Sequence, residues 1–348
     1  MKDACNSPEE ADPGAGPAFA ARAGLVYYPD SLPGISRRRC GRGFSYIDAD
    51  GARISDREER ARIAALAVPP AWEEVWICPS PDGHLQATGL DQRGRKQYRY
   101  HPDWTEFRAQ RKYDQLPDFA HRLPRIRRRL ARDLTLDPGE QSVALAALVS
   151  LIDRLGLRVG NRSYLDENGS YGATTLRHRH LKLGPDGITL AFRAKGGQKV
   201  ERVLKSPKLQ RVLSEIDDLP GADLFTWLDA EGEPHPLRSE QVNAYLGQIS
   251  GDDSVTAKTF RTWIGTLEAY RAALHAGDRL TIKEMTAAAA KSLCNTPTIA
   301  RNSYIHPKVI ALTELEPAER LQRIEQAREC RISGLTVEEG MLCGFLES

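Results

Sequence analysis

The sequence predicts an α+β fold: a small β-rich amino-terminal domain, followed by a larger, mostly α-helical domain that carries a short β hairpin. Short alternating apolar segments with Asp-Gly turns at Asp50 and Asp82 indicate the β-rich part. From Trp104 onward the apolar residues follow helical spacing. The chain has 348 residues, enough for two domains that each bury a core. We place a disordered tail at 1–23, the first domain at 24–107 and the second at 108–348.

The amino-terminal domain is predicted to contain several strands and one helix. Its first residues, 1–23, are rich in Ala, Gly, Pro and acidic residues, which is typical of disorder. The helix is DREERARIAALAV, which begins at Asp56. The predicted strands begin at Leu25, Phe44, Val75, His84 and Gln97.

The second domain is predicted to be helical except for one β insert. An apolar helix, GEQSVALAALVSLIDRLGL, ends just before Arg158. The insert follows as LKLGPDGITLAFRAKGGQKVERVL, and its Gly196-Gly197 turn places Lys195 at a hairpin tip. Further helices are predicted in SPKLQRVLSEIDDL, SEQVNAYLGQIS, SVTAKTFRTWIGTLEAYRAAL, TIKEMTAAAAKSLC and AERLQRIEQAREC.

Charge is unevenly distributed along the chain. The formal net charge is only +2, but Arg93–Arg132 has 13 Lys or Arg against 4 Asp or Glu. Ala311–Ser348 has 4 Arg against 8 Glu. A basic middle beside an acidic end predicts one surface that faces a polyanion and one end that is solvated or faces a partner.

The cysteines and apolar segments exclude several classes of protein. The six cysteines lie far apart without CxxC spacing, which predicts reduced thiols in a cytoplasm and neither a zinc site nor a disulfide framework. No apolar run reaches membrane-spanning length. Since no P-loop or catalytic carboxylate cluster is present, we expect no cofactor, no metal and no ATP dependence.

Tyr304, in the stretch NTPTIARNSYIHP, is the candidate nucleophile. A phenol with a pKa of about 10 attacks poorly at neutral pH, so its target must be surrounded by cations that stabilise the developing charge. The chain offers Arg158 in GLRVGN, Lys195 in FRAKGG and Arg261 in KTFRTW. Taken alone, a tyrosine near a His-Pro helix break is more often a packing residue.

The set Arg158, Lys195, Arg261, Asn295 and Tyr304 resembles the active site of type IB DNA topoisomerases, in particular the compact poxvirus-like enzymes also found in bacteria. The resemblance runs from about Leu25 to the end of the chain and includes a second pattern, GHLQATGLDQRGRKQYRYHP. One difference is that Asn295 stands where viral and eukaryotic members carry a histidine. Asparagine donates a hydrogen bond but cannot become cationic.

The resemblance implies a role for each of these residues. Tyr304 would attack a phosphodiester to give a 3′-phosphotyrosyl bond, while Arg158, Arg261 and Asn295 stabilise the transition state. Lys195 corresponds to the general acid that protonates the leaving 5′ oxygen, with Lys199 as the alternative. Asn295 could instead cap the helix that TPTIA begins.

Further residues are predicted to bind double-stranded DNA. Gln97, Tyr98 and Tyr100 match a strand that related enzymes lay in the major groove, although alternating aromatic residues on a strand are also common in a core. Contacts to the DNA backbone are expected from basic residues in a Gly-rich loop and in the KTFRTW motif. These residues are Arg37, Arg38, Arg39 and Lys258.

The resemblance therefore implies an enzyme that relaxes supercoiled DNA, with a fold similar to tyrosine recombinases and topoisomerases IB. We expect a monomer that acts in the cytoplasm with the nucleoid. Two alternatives remain open from the sequence. A tyrosine recombinase would carry His-x-x-Arg, where this chain has Lys258 in the first position. A DNA-binding protein with a degenerate site would lack some of the five residues.

Overall fold

The computed structural model describes residues 16–327 and 331–348. The chain divides into two compact units, Met1–Arg111 and Lys112–Ser348. Within the described ranges, no helix has the length and hydropathy needed to cross a membrane. The α+β prediction is confirmed, with the larger sheet in the first unit and most helices in the second.

The first unit is built on a five-stranded antiparallel sheet of order β2-β1-β3-β4-β5. One helix, α2, connects β2 to β3, and Asp56 caps its amino end by accepting a hydrogen bond from Glu59 N at 2.7 Å. The elements are α1 Pro17–Arg22, β1 Ile35–Cys40, β2 Gly43–Ile47, α2 Arg57–Ala65, β3 Glu73–Ile77, β4 Leu85–Leu90, β5 Lys96–Tyr100 and α3 Pro102–Asp114.

Two small cores hold this unit together. One lies on the sheet, where Ile63 of α2 packs against buried residues of β1, β3 and β4. The other surrounds Phe19 of α1, whose ring lies 5.0 Å from that of Trp104 and 4.9 Å from that of Phe107. Burial of apolar surface at both places accounts for the order of these short elements.

The second core corrects the predicted disordered tail. Residues 1–15 lie outside the described residues, but residues 17–22 form α1, and Phe19 is only 4% exposed. The prediction is therefore wrong for this segment, because one aromatic anchor in an otherwise Ala-rich stretch outweighs the composition. The strand predicted at Leu25 is also wrong: Val26 forms only an isolated bridge with Gly83.

The second unit is mainly helical. Its first half contains α4 Leu116–Asp133, α5 Gln141–Leu155, α6 Arg162–Asn168, β6 Leu181–Gly184, β7 Gly187–Arg193, β8 Lys199–Leu204, α7 Pro207–Asp217, β9 Thr226–Leu228 and β10 Pro234–Pro236. Its second half contains α8 Ser239–Ser250, α9 Ala257–Leu274, α10 Ile282–Leu293, α11 Pro297–Tyr304, α12 Pro307–Ala311, α13 Pro317–Ala327 and α14 Val337–Glu347.

Helices α5 and α9 form the centre of this unit. Residues Val143 to Ile152 of α5 are buried without interruption, as expected for a helix that is apolar all round. On α9, Phe260 and Trp263 are buried against Phe119 of α4, with ring centroids 5.0 and 6.0 Å apart. These contacts fix α9, and α9 in turn positions the site described below.

The prediction that the acidic carboxyl-terminal segment is solvated or faces a partner is wrong for Glu339, which is buried, whereas Glu316, Glu319 and Glu325 are exposed as predicted. Helix α14 packs on α4, and Arg127 donates hydrogen bonds of 2.9 and 2.8 Å to Glu339. Arg127 also pairs with Asp153 of α5 at 2.9 Å. The acidic residue Glu339 is thus neutralised inside the fold.

Candidate active site

Tyr304 is the last residue of α11, and its backbone lies directly against α9. The hydroxyl of Thr266 donates to the Tyr304 carbonyl oxygen at 3.1 Å and accepts from the His306 N–H at 3.1 Å. Gly265 makes room for this approach, since a Cβ added there would lie 2.7 Å from the Tyr304 oxygen. Two small residues of α9 therefore fix where the tyrosine leaves its helix.

Arg261, one turn before Gly265 on α9, is 4% exposed and lies beside the phenol. Its Cζ is 5.0 Å from the centroid of the Tyr304 ring. Its Nη1 donates to the Gly156 carbonyl and its Nη2 to the Leu293 carbonyl at 3.2 Å. The buried Nε has no hydrogen-bond partner among the described residues. Arg261 is thus held by two helix ends while one N–H remains available to a ligand.

Gly156 terminates α5 in the left-handed conformation, with φ of 61°, which a residue with a side chain rarely adopts. The chain then turns so that Arg158 reaches the loop after α10. Arg158 donates to the Cys294 carbonyl at 3.4 Å and to the Asn295 side-chain oxygen. Since a guanidinium can only donate, the Asn295 amide presents its oxygen to Arg158 and its Nδ2 elsewhere.

The Nδ2 of Asn295 is buried and has no hydrogen-bond partner in the described part of the chain. An unpaired buried donor is costly unless a ligand accepts its hydrogen bond. The structure also excludes one of the two predicted roles of this residue, that of a helix cap. Thr296, not Asn295, caps α11, because its hydroxyl accepts from Ile299 N at 3.3 Å.

Arg202 of β8, which the sequence did not single out, holds the loop that carries Asn295. Its Nη2 donates to the carbonyls of Lys291 and Ser292 at 2.8 and 2.7 Å and contacts the Cys294 sulfur at 2.9 Å. These bonds satisfy the carboxyl end of α10. Cys294 itself adopts a left-handed conformation, with φ of 48°, so the chain reverses just before Asn295.

The electrostatic surroundings favour ionisation of the Tyr304 phenol. Burial acts to raise its pKa, whereas the charge of Arg261 and the hydrogen bond from Arg261 lower it. The charges of Lys258 and Arg158 lower it further, so the pKa lies below the usual 10.0. Lys258, which was predicted from the sequence to bind DNA, is half-buried on α9, and its charge lowers the pKa of the Tyr304 phenol.

Lys195 lies at the exposed tip between β7 and β8, as predicted. The base of this hairpin lines a cleft together with Arg158 and Arg261, and Ala194, directly before Lys195, is one of the lining residues. Lys199 is exposed in β8 opposite Arg193. The structure thus brings Arg158, Arg261, Asn295 and Tyr304 together and places Lys195 on the adjoining hairpin.

In the first unit, the side chain of Gln97 is not exposed as it would need to be for its amide to contact base edges. Its side chain is buried, and its Nε2 donates to Asp91 at 3.0 Å. Tyr98 and Tyr100 are half-buried on one face of β5, with parallel rings whose centroids lie 6.0 Å apart. Lys96 lies over the Tyr98 ring at 5.7 Å and pairs with Asp30 at 2.6 Å. This face of β5 therefore presents aromatic rings but no exposed amide.

The three predicted arginines do not lie in a loop but on β1. Arg37 donates to the carbonyls of Val68, Pro69 and Trp72 at 3.3, 3.1 and 2.6 Å, and stacks over the Phe44 ring at 4.2 Å. Its guanidinium is therefore used inside the unit, which does not favour its predicted contact with DNA. Arg38 and Arg39 are exposed, and their contact with DNA stays a prediction.

Comparisons with known proteins match most of the chain. Residues 43–91 match the family model described as bacterial DNA topoisomerase IB, N-terminal domain, and residues 101–321 match that described as eukaryotic DNA topoisomerase I, catalytic core. The DNA topoisomerase 1B of Acanthamoeba polyphaga mimivirus is 29% identical over 300 residues, covering 82% of this chain and 89% of the viral one. The DNA topoisomerase 1B of Vaccinia virus (strain Copenhagen) is 26% identical over 148 residues, 42% of this chain and 45% of its own.

Proposed function

This chain belongs to the type IB DNA topoisomerase family, and we propose that it relaxes supercoiled DNA by cutting one strand through a covalent bond to Tyr304. Two buried donors that have no hydrogen-bond partner among the described residues carry the proposal: Arg261 Nε, next to a phenol with a lowered pKa, and Asn295 Nδ2, whose amide oxygen binds Arg158. Two such donors suit the nonbridging oxygens of a phosphodiester.

The first chemical step follows from this arrangement. The Tyr304 hydroxyl gives its proton to solvent, and its oxygen attacks phosphorus in line, so that a bond from tyrosine to the 3′ phosphate forms and the bond to the 5′ oxygen breaks. Arg158, Arg261 and Asn295 stabilise the charge on the equatorial oxygens. Lys195, on a hairpin that can move toward the cleft, gives a proton to the leaving 5′ oxygen.

Resealing is the reverse of this step. The phosphotyrosyl bond keeps the energy of the broken phosphodiester, so the cut strand can rotate and be rejoined without ATP. The guanidinium groups supply the electrostatic stabilisation, so the reaction has no obligatory metal. We further propose that the enzyme is a bacterial monomer that works on nucleoid DNA in the cytoplasm.

The DNA contacts of the first unit are proposed to come from β1 and β5. Exposed Arg38 and Arg39 bind phosphates, while Tyr98 and Tyr100 contact bases by their faces. Gln97 contributes to base contacts only if DNA displaces its bond to Asp91, which is 3.0 Å long. Loss of Arg38 or Arg39 should weaken binding similarly for all sequences.

The test is relaxation of a supercoiled plasmid in EDTA without ATP, with Tyr304→Phe as the matched control. The wild-type protein should give relaxed circles and a protein–DNA adduct after denaturation, and the variant should bind DNA but give neither. Exchange between paired sites would indicate a recombinase, and a mobility shift without cleavage would indicate a binding protein. An adduct formed by Tyr304→Phe would remove Tyr304 as the nucleophile.

A further inference from the structure

Three potential metal ligands, His121, Cys343 and Glu347, meet where α14 contacts α4. On α14, Glu339, Cys343 and Glu347 are spaced by four residues and so lie on one side of the helix. Glu339 at one end of this row binds Arg127 of α4, and Glu347 at the other end binds His121 of α4, at 2.7 Å between Oε1 and Nε2. Cys343, between them, is fully buried.

The donor atoms of His121, Cys343 and Glu347 all lie within 4.8 Å of one another. Zinc bonds of about 2.0 to 2.3 Å would place tetrahedral ligand atoms roughly 3.3 to 3.8 Å apart. His121 and Glu347, 2.7 Å apart, would have to separate slightly to reach such distances, and both have room to rotate because they are 51% and 41% exposed. The same exposure leaves space for water as a fourth ligand.

We propose that His121, Cys343 and Glu347 form a zinc site that fastens α14 to α4. The combination of thiolate, imidazole and carboxylate suits Zn²⁺ and related soft divalent ions, whereas Mg²⁺ and Ca²⁺ prefer oxygen ligands. On binding, Cys343 loses its proton to solvent, and the imidazole of His121 offers Nε2 as a neutral donor to the metal rather than to Glu347.

Other contacts hold α14 in place on both sides of the site. Arg127 bridges Asp153 of α5 and Glu339 of α14, at 2.9 and 2.8 Å, which fixes the register of α14 on α4. At the far end of α14, Lys308 donates to the Leu346 carbonyl at 3.0 Å. Lys308 lies four residues after Tyr304, so a metal that holds α14 also supports the segment that follows the nucleophile.

This site could not be predicted from the sequence, because its ligands come from two helices that are far apart in the chain. His121 lies in LPDFAHRLPRIRRRL, and the other two ligands lie in EEGMLCGFLES. Cys343 and Glu347 have the spacing of one helical turn, but that spacing is common in helices that bind no metal. Only the packing of α14 on α4 supplies the third ligand.

The test is titration of the full-length protein, after treatment with a chelator, with Zn²⁺ in a calorimeter and with Co²⁺ in a spectrophotometer. The expected result is one ion per chain and a near-ultraviolet thiolate-to-cobalt band. His121→Gln and Cys343→Ser should each weaken Zn²⁺ binding at least tenfold, and Cys343→Ser should remove the band. Cys40→Ser, which changes an exposed thiol in the other unit, should alter neither.

Thermal unfolding provides a second measurement. Zn²⁺ should raise the Tm of wild type and of Cys40→Ser but not that of His121→Gln, because ligand binding to the native state stabilises it. Since His121 is exposed, this variant should fold and so keep the comparison valid. Absence of Zn²⁺ binding by the wild-type protein, or equal binding by all variants, would overturn the proposal. Neither outcome affects the assignment of Tyr304.

Discussion

The backbone of Tyr304 crosses α9 at Gly265, so closely that a single added carbon would meet both the carbonyl oxygen and the Cβ of the tyrosine, at 2.7 and 2.9 Å. Real Cβ atoms do not tolerate such distances from backbone, so either α9 or α11 must move when a side chain is added. Position 265 therefore controls where the candidate nucleophile lies.

Gly265→Ala should slow formation of the covalent adduct at least tenfold and destabilise the protein by about 1 to 3 kcal/mol, because overpacking displaces Tyr304. Adduct formation under single-turnover conditions and urea unfolding measure the two effects. Gly277→Ala is the matched control, since a Cβ there meets nothing within 4 Å. A normal cleavage rate in Gly265→Ala would show that the site tolerates the shift.

Arg261→Lys should slow cleavage by raising its activation free energy by roughly 2 to 4 kcal/mol, while the affinity for DNA changes little. The guanidinium donates to the carbonyls of Gly156 and Leu293 from two separate nitrogens and keeps a third for a phosphate, whereas the three N–H groups of a lysine all lie on one nitrogen and cannot span these positions. Arg158→Ala should behave similarly. Equal losses in binding and in cleavage rate would make these residues ordinary phosphate contacts. Urea unfolding is needed as a control because Arg261 is buried.

Asn295→Ala should slow cleavage less than Arg158→Ala or Arg261→Lys does, because a neutral hydrogen-bond donor is weaker than a charged one. Asn295→His should remain active, since imidazole can donate from a similar position. Asn295→Asp should be strongly impaired, because its carboxylate would pair with Arg158 and repel the phosphate. Thr296→Asn, which keeps a capping side chain on α11, is the control. Near-normal cleavage by Asn295→Asp would remove this residue from the site.

The role of Lys195 can be tested through the leaving group. In a substrate with a 5′-bridging sulfur at the scissile bond, the leaving thiolate needs no proton. This substrate should therefore restore cleavage by Lys195→Ala to near the wild-type rate. Lys199→Ala should cleave the ordinary substrate nearly normally. If the sulfur substrate rescues Lys199→Ala and not Lys195→Ala, the general acid is Lys199.

Stability should fall as the pH is lowered through the range in which His306 titrates. Burial, together with the smaller effect of the charges of Lys308 and Lys112, lowers the pKa of His306 from the usual 6.5 to about 4. Between these values the unfolded chain binds more protons than the native one, so stability is present above pH 6.5 and is lost toward pH 4. The loss from this group is at most about 3 kcal/mol.

His306→Asn should reduce that pH dependence, because asparagine does not titrate and can still accept the hydrogen bond from Lys308 N, now 3.0 Å long. Urea unfolding of both proteins at pH 7 and pH 5 gives the comparison. If the two proteins lose the same free energy of unfolding between these pH values, other groups cause the acid sensitivity.

Much of the fold could be predicted because its signals are local. The apolar run of α5 and the Asp-Gly turns between strands can be read without knowing any partner. The strand β1 was missed because Arg37, Arg38 and Arg39 conceal its alternation, although Arg37 turns inward to three carbonyls. The helix α1 was missed because its order depends on Trp104, which is distant in sequence.

The candidate site also contains residues that could be predicted from the sequence and residues that could not. The charged residues and the nucleophile could be proposed as site residues from their motifs. Gly265, Thr266 and Arg202 could not, because each acts by supporting another residue through a tertiary contact. Their residue types carry no chemical signal on their own, and only the crossing of α11 over α9 and the packing of β8 on α10 give them a role.

Helix α11 is eight residues long, and of its residues only Ala300 is fully buried. It therefore buries little side-chain surface of its own, and its last residues are held through the carbonyls of Tyr304 and Ser303, which accept hydrogen bonds from Thr266 of α9 and from Lys112. Amide hydrogen exchange should be fast in α11 and slow in α9, which lies in the core. Local unfolding of this one short helix would then move Tyr304 out of the site and back, while Arg158 and Arg261 stay in place.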